Sequence, residues 1–175
     1  MSISQPIQLI AGLANPGQEY AKSRHNAGAW LITAFAAKES LNLKTEAKFY
    51  GATAKLTVGG NKCWLLIPTT YMNNSGRSIR ALANFYHIPT AAILIVHDDL
   101  DLPPGIARFK QGGGDGGHNG LKDMVIQLGC KDFWRLRIGI GHPGHRDRVH
   151  DYVLSSPSAS DREKIENTID QVLTI

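Results

Sequence analysis

The sequence predicts an α/β fold: a three-layer sandwich in which a mixed, largely parallel twisted sheet carries helices on both faces. Three observations predict it. The apolar runs at 7–13 and 92–97 are short and continuous rather than alternating, as strands covered on both faces require. Segments with helical periodicity separate the strand-like runs. Polar and glycine-rich segments fall where the runs end, which is where α/β folds collect ligands.

Each element follows from local chemistry. Ile7, Leu9, Ile10 and Ala11 form the first strand, which stops at the turn formers Asn15, Pro16 and Gly17. After a loop carrying His25, apolar residues at Ala27, Trp30, Leu31, Ala34 and Phe35 trace one helix face, which Gly28 does not interrupt. Segments 52–58 and 63–67 flank Gly59-Gly60-Asn61 and predict a hairpin. A second helix begins after Asn74 or Ser75, presents Ile79, Leu82 and Tyr86, and ends before Pro89. Run 92–97 delivers Asp98, Asp99 and Asp101 into a loop closed by Pro103-Pro104-Gly105, and 106–110 is another short strand. A glycine-dense loop at 112–117 enters a helix with Leu121, Met124, Val125 and Leu128 inward. Segment 133–140 alternates, with Leu136, Ile138 and Ile140 on one side and Arg135 and Arg137 on the other. Segment 141–156 reads as a polar loop, and Ser160 with Glu163 as the capping box of a last helix whose Ile165, Ile169, Val172 and Leu173 face inward.

At 175 residues the chain is expected to form one domain spanning 1–175, without internal repeats or linkers. The 42% hydrophobic and 19% charged content is that of a globular protein and excludes disordered and fibrous classes. No apolar run approaches the roughly 20 residues of a membrane-spanning helix, and the N-terminus lacks a charged start followed by a secretory core, so no membrane partner and a cytoplasmic location are expected. Cys63 and Cys130 form no CxxC pair and read as ordinary thiols in a reducing compartment. The net charge of +4 is compatible with a phosphate-rich partner without requiring one.

Three polar constellations can carry chemistry. In the first, GLANPG at 12–17 precedes Tyr20, Arg24, His25 and Asn26. A histidine can take a proton from water while an amide such as Asn15 donates to a developing oxyanion; alternatively, Asn15 only makes a turn and His25 caps the next helix. In the second, His97-Asp98-Asp99-Leu100-Asp101, a carboxylate can hold an imidazole in its productive tautomer. Paired acids can also bind a divalent metal, but no helix-borne ligand pair such as HExxH is present, and His142, His145 and His150 lack an acid or cysteine at matching spacing, so no metal is expected. In the third, the run from Lys110 to Gly120 lets backbone approach a ligand and leads into a helix N-terminus, but it matches neither nucleotide-binding fingerprint. No GxSxG elbow or cysteine nucleophile motif occurs, so covalent catalysis is not expected.

Six ordered strings now bear on function: GLANPG with Tyr20, RHNAG at 24–28, PTTYMNNSG at 68–76, HDDLDLPPG at 97–105, GGGDGGHNGLKD at 112–123 and RLRIGIGHP at 135–143. Together they run through almost the whole chain and resemble bacterial peptidyl-tRNA hydrolase. That resemblance implies an esterase with no cofactor and no metal, acting as a monomer on peptidyl-tRNA through the acceptor stem, CCA end and nascent peptide. It implies His25 as general base, Asp98 as its orienting carboxylate, and Asn15, Asn73 and Asn119 as catalytic amides lining the channel. It places Tyr20, Asn26, Met72, Gly116 and His118 on the substrate, with Lys110 and Arg137 gripping the tRNA 5′ phosphate; Asp99 carries no implied role. One departure concerns the end: Ile175 stops within a still-periodic helix without a capping glycine, where the family continues and adds a basic tail, so a shortened C-terminal helix is expected. Two rivals remain at this level: a non-catalytic RNA-binding protein on the same scaffold, and a metal-dependent hydrolase of aminopeptidase type.

Overall fold

The computed structural model describes residues 6–174. The seven strands are β1 (Leu9–Gly12), β2 (Lys44–Glu46), β3 (Gly51–Val58), β4 (Asn61–Pro68), β5 (Ile93–Asp99), β6 (Ala107–Gln111) and β7 (Trp134–Gly139), and they form one sheet in the order β2-β3-β4-β1-β5-β7-β6. The central run β4-β1-β5-β7 pairs in parallel, while β2-β3, β3-β4 and β6-β7 are antiparallel. Only β3 and β6 therefore run against the rest, and the expected mixed, largely parallel sheet is what forms.

The β3-β4 hairpin turns on Gly59 and Gly60, with φ of 54° and 83°, so the loop is a two-residue primed turn and Asn61 pairs with Val58. The sheet's two faces are covered differently. On one side α2 (Ser75–Phe85) and α3 (Asn119–Leu128) bury Ile79, Leu82, Leu121 and Met124 against Leu9, Ala11, Ile93 and Ile95. On the other, α1 (Ala27–Lys38), α4 (Val149–Leu154) and α5 (Ala159–Leu173) bury Leu31, Ile32, Val153 and Ile165 against Leu94, Val96, Leu136 and Ile138. Alternation along β1, β5 and β7 feeds both cores, which completes the three layers.

Three local expectations need correction. Segment 141–156 is not all loop: a 3-10 turn at Arg146–Arg148 leads into α4. Its six residues bury little but Val153, too short a stripe for periodicity to register; the helix is held from outside. The buried Arg24 donates from Nη1 to Tyr152 O (2.9 Å) and to Ser155 Oγ (2.6 Å), and lies over the Tyr152 ring at 3.7 Å. The last helix starts two residues earlier than expected. Ser158, not Ser160, is the N-cap, and its side chain accepts from Asp161 N at 3.1 Å, because Pro157 ends the preceding extended segment. On α1 the buried set is Ala27, Gly28, Leu31, Ile32 and Ala36, while Trp30, Ala34 and Phe35 are half-buried. This helix is apolar almost all round, so its sequence cannot say which face turns inward.

The choice of face is made by a close approach. A Cβ on Gly28 would lie 2.3 Å from Val96 O, and one on Gly12 would lie 2.3 Å from Gly28 O. The start of α1 thus lies directly on β1 and β5, and this contact delivers the preceding turn to the carboxyl end of β5. Ile175, where the shortened-helix expectation falls, is outside the described residues.

Candidate active site

The carboxyl ends of β1, β4, β5 and β7 open into a cavity of about 1040 Å³. Of the residues singled out from sequence, Asn15, Tyr20, His25, Met72, Asn73, Asp98, Gly116, His118, Asn119, Lys110 and Arg137 line it. Only Asn26 does not. Its side chain is buried behind the wall, where Oδ1 accepts from Asn15 N (2.9 Å) and Nδ2 donates to Asn15 O (2.9 Å). The substrate contact expected of Asn26 is corrected accordingly: both ends of its amide are spent on clamping the backbone of Asn15.

At the centre, His25 Nδ1 lies 3.0 and 2.9 Å from the two carboxylate oxygens of Asp98, and both residues are buried. His25 sits in a 3-10 turn (Arg24–Asn26) that runs straight into α1; the position before that helix belongs to Asn26, so His25 is not its cap. Asp98 comes from the last turn of pleat in β5. Because Asp98 faces Nδ1 with two acceptors, Nδ1 carries the proton and Nε2 keeps its lone pair.

His118 completes the cluster. Its Nδ1 accepts from Gly120 N (3.1 Å) and Leu121 N (3.3 Å) as the N-cap of α3, so its proton resides on Nε2, which donates to Asp98 Oδ1 at 2.8 Å. Asp98 is held from two sides by donors fixed in tautomer. Sequence reading named His118 only as a substrate contact; the usable signal was its place immediately before an apolar helical run, where a capping acceptor belongs.

The electrostatics follow from this packing. Burial pushes the His25 pKa down, but the charge of Asp98 and the hydrogen bond to it outweigh burial and leave it raised above 6.5. Burial alone would raise Asp98; the charges of His25 and His118 and their hydrogen bonds hold it well below the usual carboxylate range. His97, buried beside them, is lowered to about 4, first by burial and next by His118. It donates from Nδ1 to Asp98 O at 2.8 Å and is a neutral wall of the site.

The asparagines differ in how they are held. Asn15 Oδ1 accepts from Met72 N at 2.7 Å, which leaves its Nδ2 as the group with donors to offer. Asn73 and Asn119 stand exposed on the cavity wall, Asn73 just ahead of α2 and Asn119 as the first residue of α3. Met72 is buried between them and packs so tightly that a Cβ on Gly120 would lie 2.7 Å from its sulfur.

A second region lies on β6 and β7. Lys110 pairs with Arg135 and Arg108 with Arg137, so four cations from two strands share one face. Each interior cation has a task that sequence did not reveal. Arg137 Nε donates to Asp99 Oδ2 at 2.8 Å, which gives Asp99 the role of fixing Arg137. Buried Arg135 reaches the carbonyls of Gly113 (2.8 Å) and Gly114 and anchors the glycine loop. Exposed Lys110 remains available to an anion.

His25, Asp98 and His118 are also the one trio of metal-ligand type that converges among the described residues. The donor set does not suit a metal. His118 Nδ1 faces two backbone N–H groups, so Nε2 must carry its proton, and a protonated nitrogen has no lone pair to give. Among the described residues His142, His145 and His150 join no trio of this kind; His145 and His150 each lie beside a single exposed acid, Asp147 (3.5 Å) and Asp151 (3.3 Å).

Comparison with known proteins identifies the family and the fold. The sequence model of the family described as peptidyl-tRNA hydrolase matches residues 9–175. A peptidyl-tRNA hydrolase of Vibrio cholerae is 55% identical over 170 residues, covering 97% of this chain and 87% of the relative. One from Haemophilus influenzae is 57% identical over 166 residues, covering 94% and 86%. The crystal structure of peptidyl-tRNA hydrolase from Acinetobacter baumannii superimposes with a TM-score of 0.93 at 46% identity, covering 98% of this chain and 88% of that one.

Proposed function

The chain belongs to the peptidyl-tRNA hydrolase family, and from that premise we propose how it hydrolyses the ester between a peptide and the 3′-terminal ribose of tRNA. The observation that carries the reading is the buried contact of His25 with Asp98 at 2.9 Å, which leaves Nε2 as the basic nitrogen at the cavity wall. His25 removes a proton from water through Nε2 as the water oxygen attacks the ester carbonyl. Asp98 keeps Nδ1 protonated and stabilises the imidazolium that forms.

The tetrahedral oxyanion is met by amide donors. Asn15 Nδ2 is oriented because Met72 N fixes the other end of the amide, and Asn73 and Asn119 flank it at the starts of α2 and α3, where backbone N–H groups favour negative charge. Collapse returns the proton from His25 to the leaving 3′ oxygen, releasing the peptide as a carboxylic acid and the tRNA with its hydroxyl restored. Tyr20, Met72, Gly116 and His118 line the space around the ester, and Lys110 and Arg137 bind the 5′ phosphate at the β6-β7 rim. The acceptor stem and CCA end thus approach from that rim, and one copy of the chain supplies the whole site. No helix among the described residues is long and apolar enough to cross a membrane.

Release of labelled N-blocked peptide from peptidyl-tRNA, followed with and without a chelator, tests the reading. Equal turnover in both is expected. Loss of turnover in chelator would transfer the chemistry to a metal, and binding of the RNA without release would leave only an RNA-binding protein.

A further inference from the structure

The cavity's two ends are unlike, and a second, separate groove lies near one of them. Lys110 and Arg137 mark the β6-β7 edge of the sheet, whereas Tyr71, Asn73 and Asn74 mark the end next to α2. Immediately beyond Asn74, a groove of about 350 Å³ is lined by Tyr50, Arg77, Arg80, Ala81, Asn84 and Gln127. The two walls are tied together: Thr69 N, two residues before Tyr71, donates to Tyr50 O at 2.8 Å, so the groove is fixed next to the cavity end without sharing its lining.

Arg77, Arg80, Ala81 and Asn84 fall at i, i+3, i+4 and i+7 of α2, so they form one stripe running about 10 Å away from the cavity. The Arg77 guanidinium lies over the Tyr50 ring at 4.1 Å and donates to its hydroxyl at 3.1 Å, and Arg80 donates to Gln127 Oε1 at 3.5 Å. Both cations are thus positioned by neutral groups, which leaves their charge uncompensated by these contacts. Tyr50 adopts a left-handed backbone (φ 51°), rare for an aromatic residue, and this sets its ring beneath Arg77.

An ester has two arms, and they diverge from the carbonyl. If the ribose arm leaves toward the β6-β7 rim, the acyl arm leaves toward α2. We propose that the Tyr50-Arg77-Arg80-Asn84 groove is a subsite for the peptide upstream of the ester, and that it favours acidic side chains there. This rests on the esterase reading given above. At about 3.3 Å per extended residue the stripe spans about three residues, with carboxylates meeting Arg77 and Arg80 and main-chain groups meeting Asn84 and Gln127.

Two N-blocked peptidyl-tRNAs with the same tRNA test it, one peptide carrying aspartates and the other serines at the third to fifth residues from the ester. The wild type is expected to show kcat/KM about 3- to 10-fold higher for the acidic peptide at low salt, with the ratio shrinking toward one as salt screens the guanidiniums. The double substitution Arg77→Gln with Arg80→Gln should bring the ratio to one. Arg77→Glu with Arg80→Glu should invert it in favour of a lysine-bearing peptide. A wild-type ratio of one overturns the proposal. So does an equal loss on both peptides in the double variant, which would give the arginines to the RNA or to the fold. Failure of the wild type to release either peptide would sink the esterase reading, and the subsite with it.

Discussion

The His25-Asp98-His118 corner and the β6-β7 rim share one cavity but are built on opposite principles. In the corner the polar groups are largely withdrawn from water and, apart from the free Nε2 of His25, committed: two imidazoles of fixed tautomer hold one carboxylate, and each sits at a turn or helix start. On the rim, Lys110 is exposed and Arg137 has one partner, Asp99, in a partly solvated pair. A preorganised dry cluster can favour one proton position at no reorganisation cost during the reaction, while solvated cations can follow a flexible phosphate. The contrast teaches that chemistry and affinity should be separable by mutation.

The sharpest way to break the contrast is His25→Ala, which removes the proposed base. A fall in kcat of about 10² to 10⁴-fold is expected with the fold intact by circular dichroism; near-normal turnover would empty the corner of its meaning. Asp98→Asn comes next, with a loss on the order of 10²-fold or more, since an amide can present its N–H to Nδ1 and stabilise the unproductive tautomer. Its pH profile sharpens the point. The base works when neutral, so wild-type kcat/KM should rise with pH to a plateau whose midpoint lies above 6.5, because Asp98 outweighs burial at His25. In Asp98→Asn the upward pull is gone, burial remains, and the midpoint should move down. An unmoved midpoint would assign the titration to another group.

On the rim, Lys110→Ala and Arg137→Ala should raise KM several-fold while leaving kcat nearly unchanged. Each should reduce the slope of log affinity against log salt by about 0.7 to 0.9, as one phosphate contact is lost. A fall in kcat without change in slope would show that rim and corner are not separate. The smallest effect expected is on stability. His118→Ala removes the α3 cap at a cost of about 1 kcal/mol, or roughly 2–4 °C in Tm for a chain of this size. It should also slow turnover several-fold, as Asp98 keeps only His25; calorimetry beside steady-state rates reads both.

Most of this fold was legible because its long elements are patterned by burial. Alternation in β7 and the continuous apolar run of β5 announce themselves, and the glycines of the β3-β4 turn can mean little else. The main failures share one cause. Whereas the N-cap of α5 is set locally beside Pro157, the α1 face and the α4 helix are decided by contacts with residues distant in sequence, such as Gly28 against Val96 and Arg24 against Tyr152 and Ser155. Asn26 was misjudged for the same reason: an amide beside a reactive histidine looks like a ligand until its partner is seen to be the backbone of Asn15.

By itself, then, the amino-acid sequence determined which residue types stand at the strand ends, the α/β alternation and the family likeness, because those are properties of order along the chain. Tertiary structure alone decided that Asp98 lies between two histidines, that Asp99 and Arg135 serve as anchors rather than ligands, and that a cationic groove leads away along α2. Those are matters of convergence: 73 positions separate His25 from Asp98 and 20 separate Asp98 from His118. Only the sheet register and the glycine contacts close such distances to hydrogen-bond length.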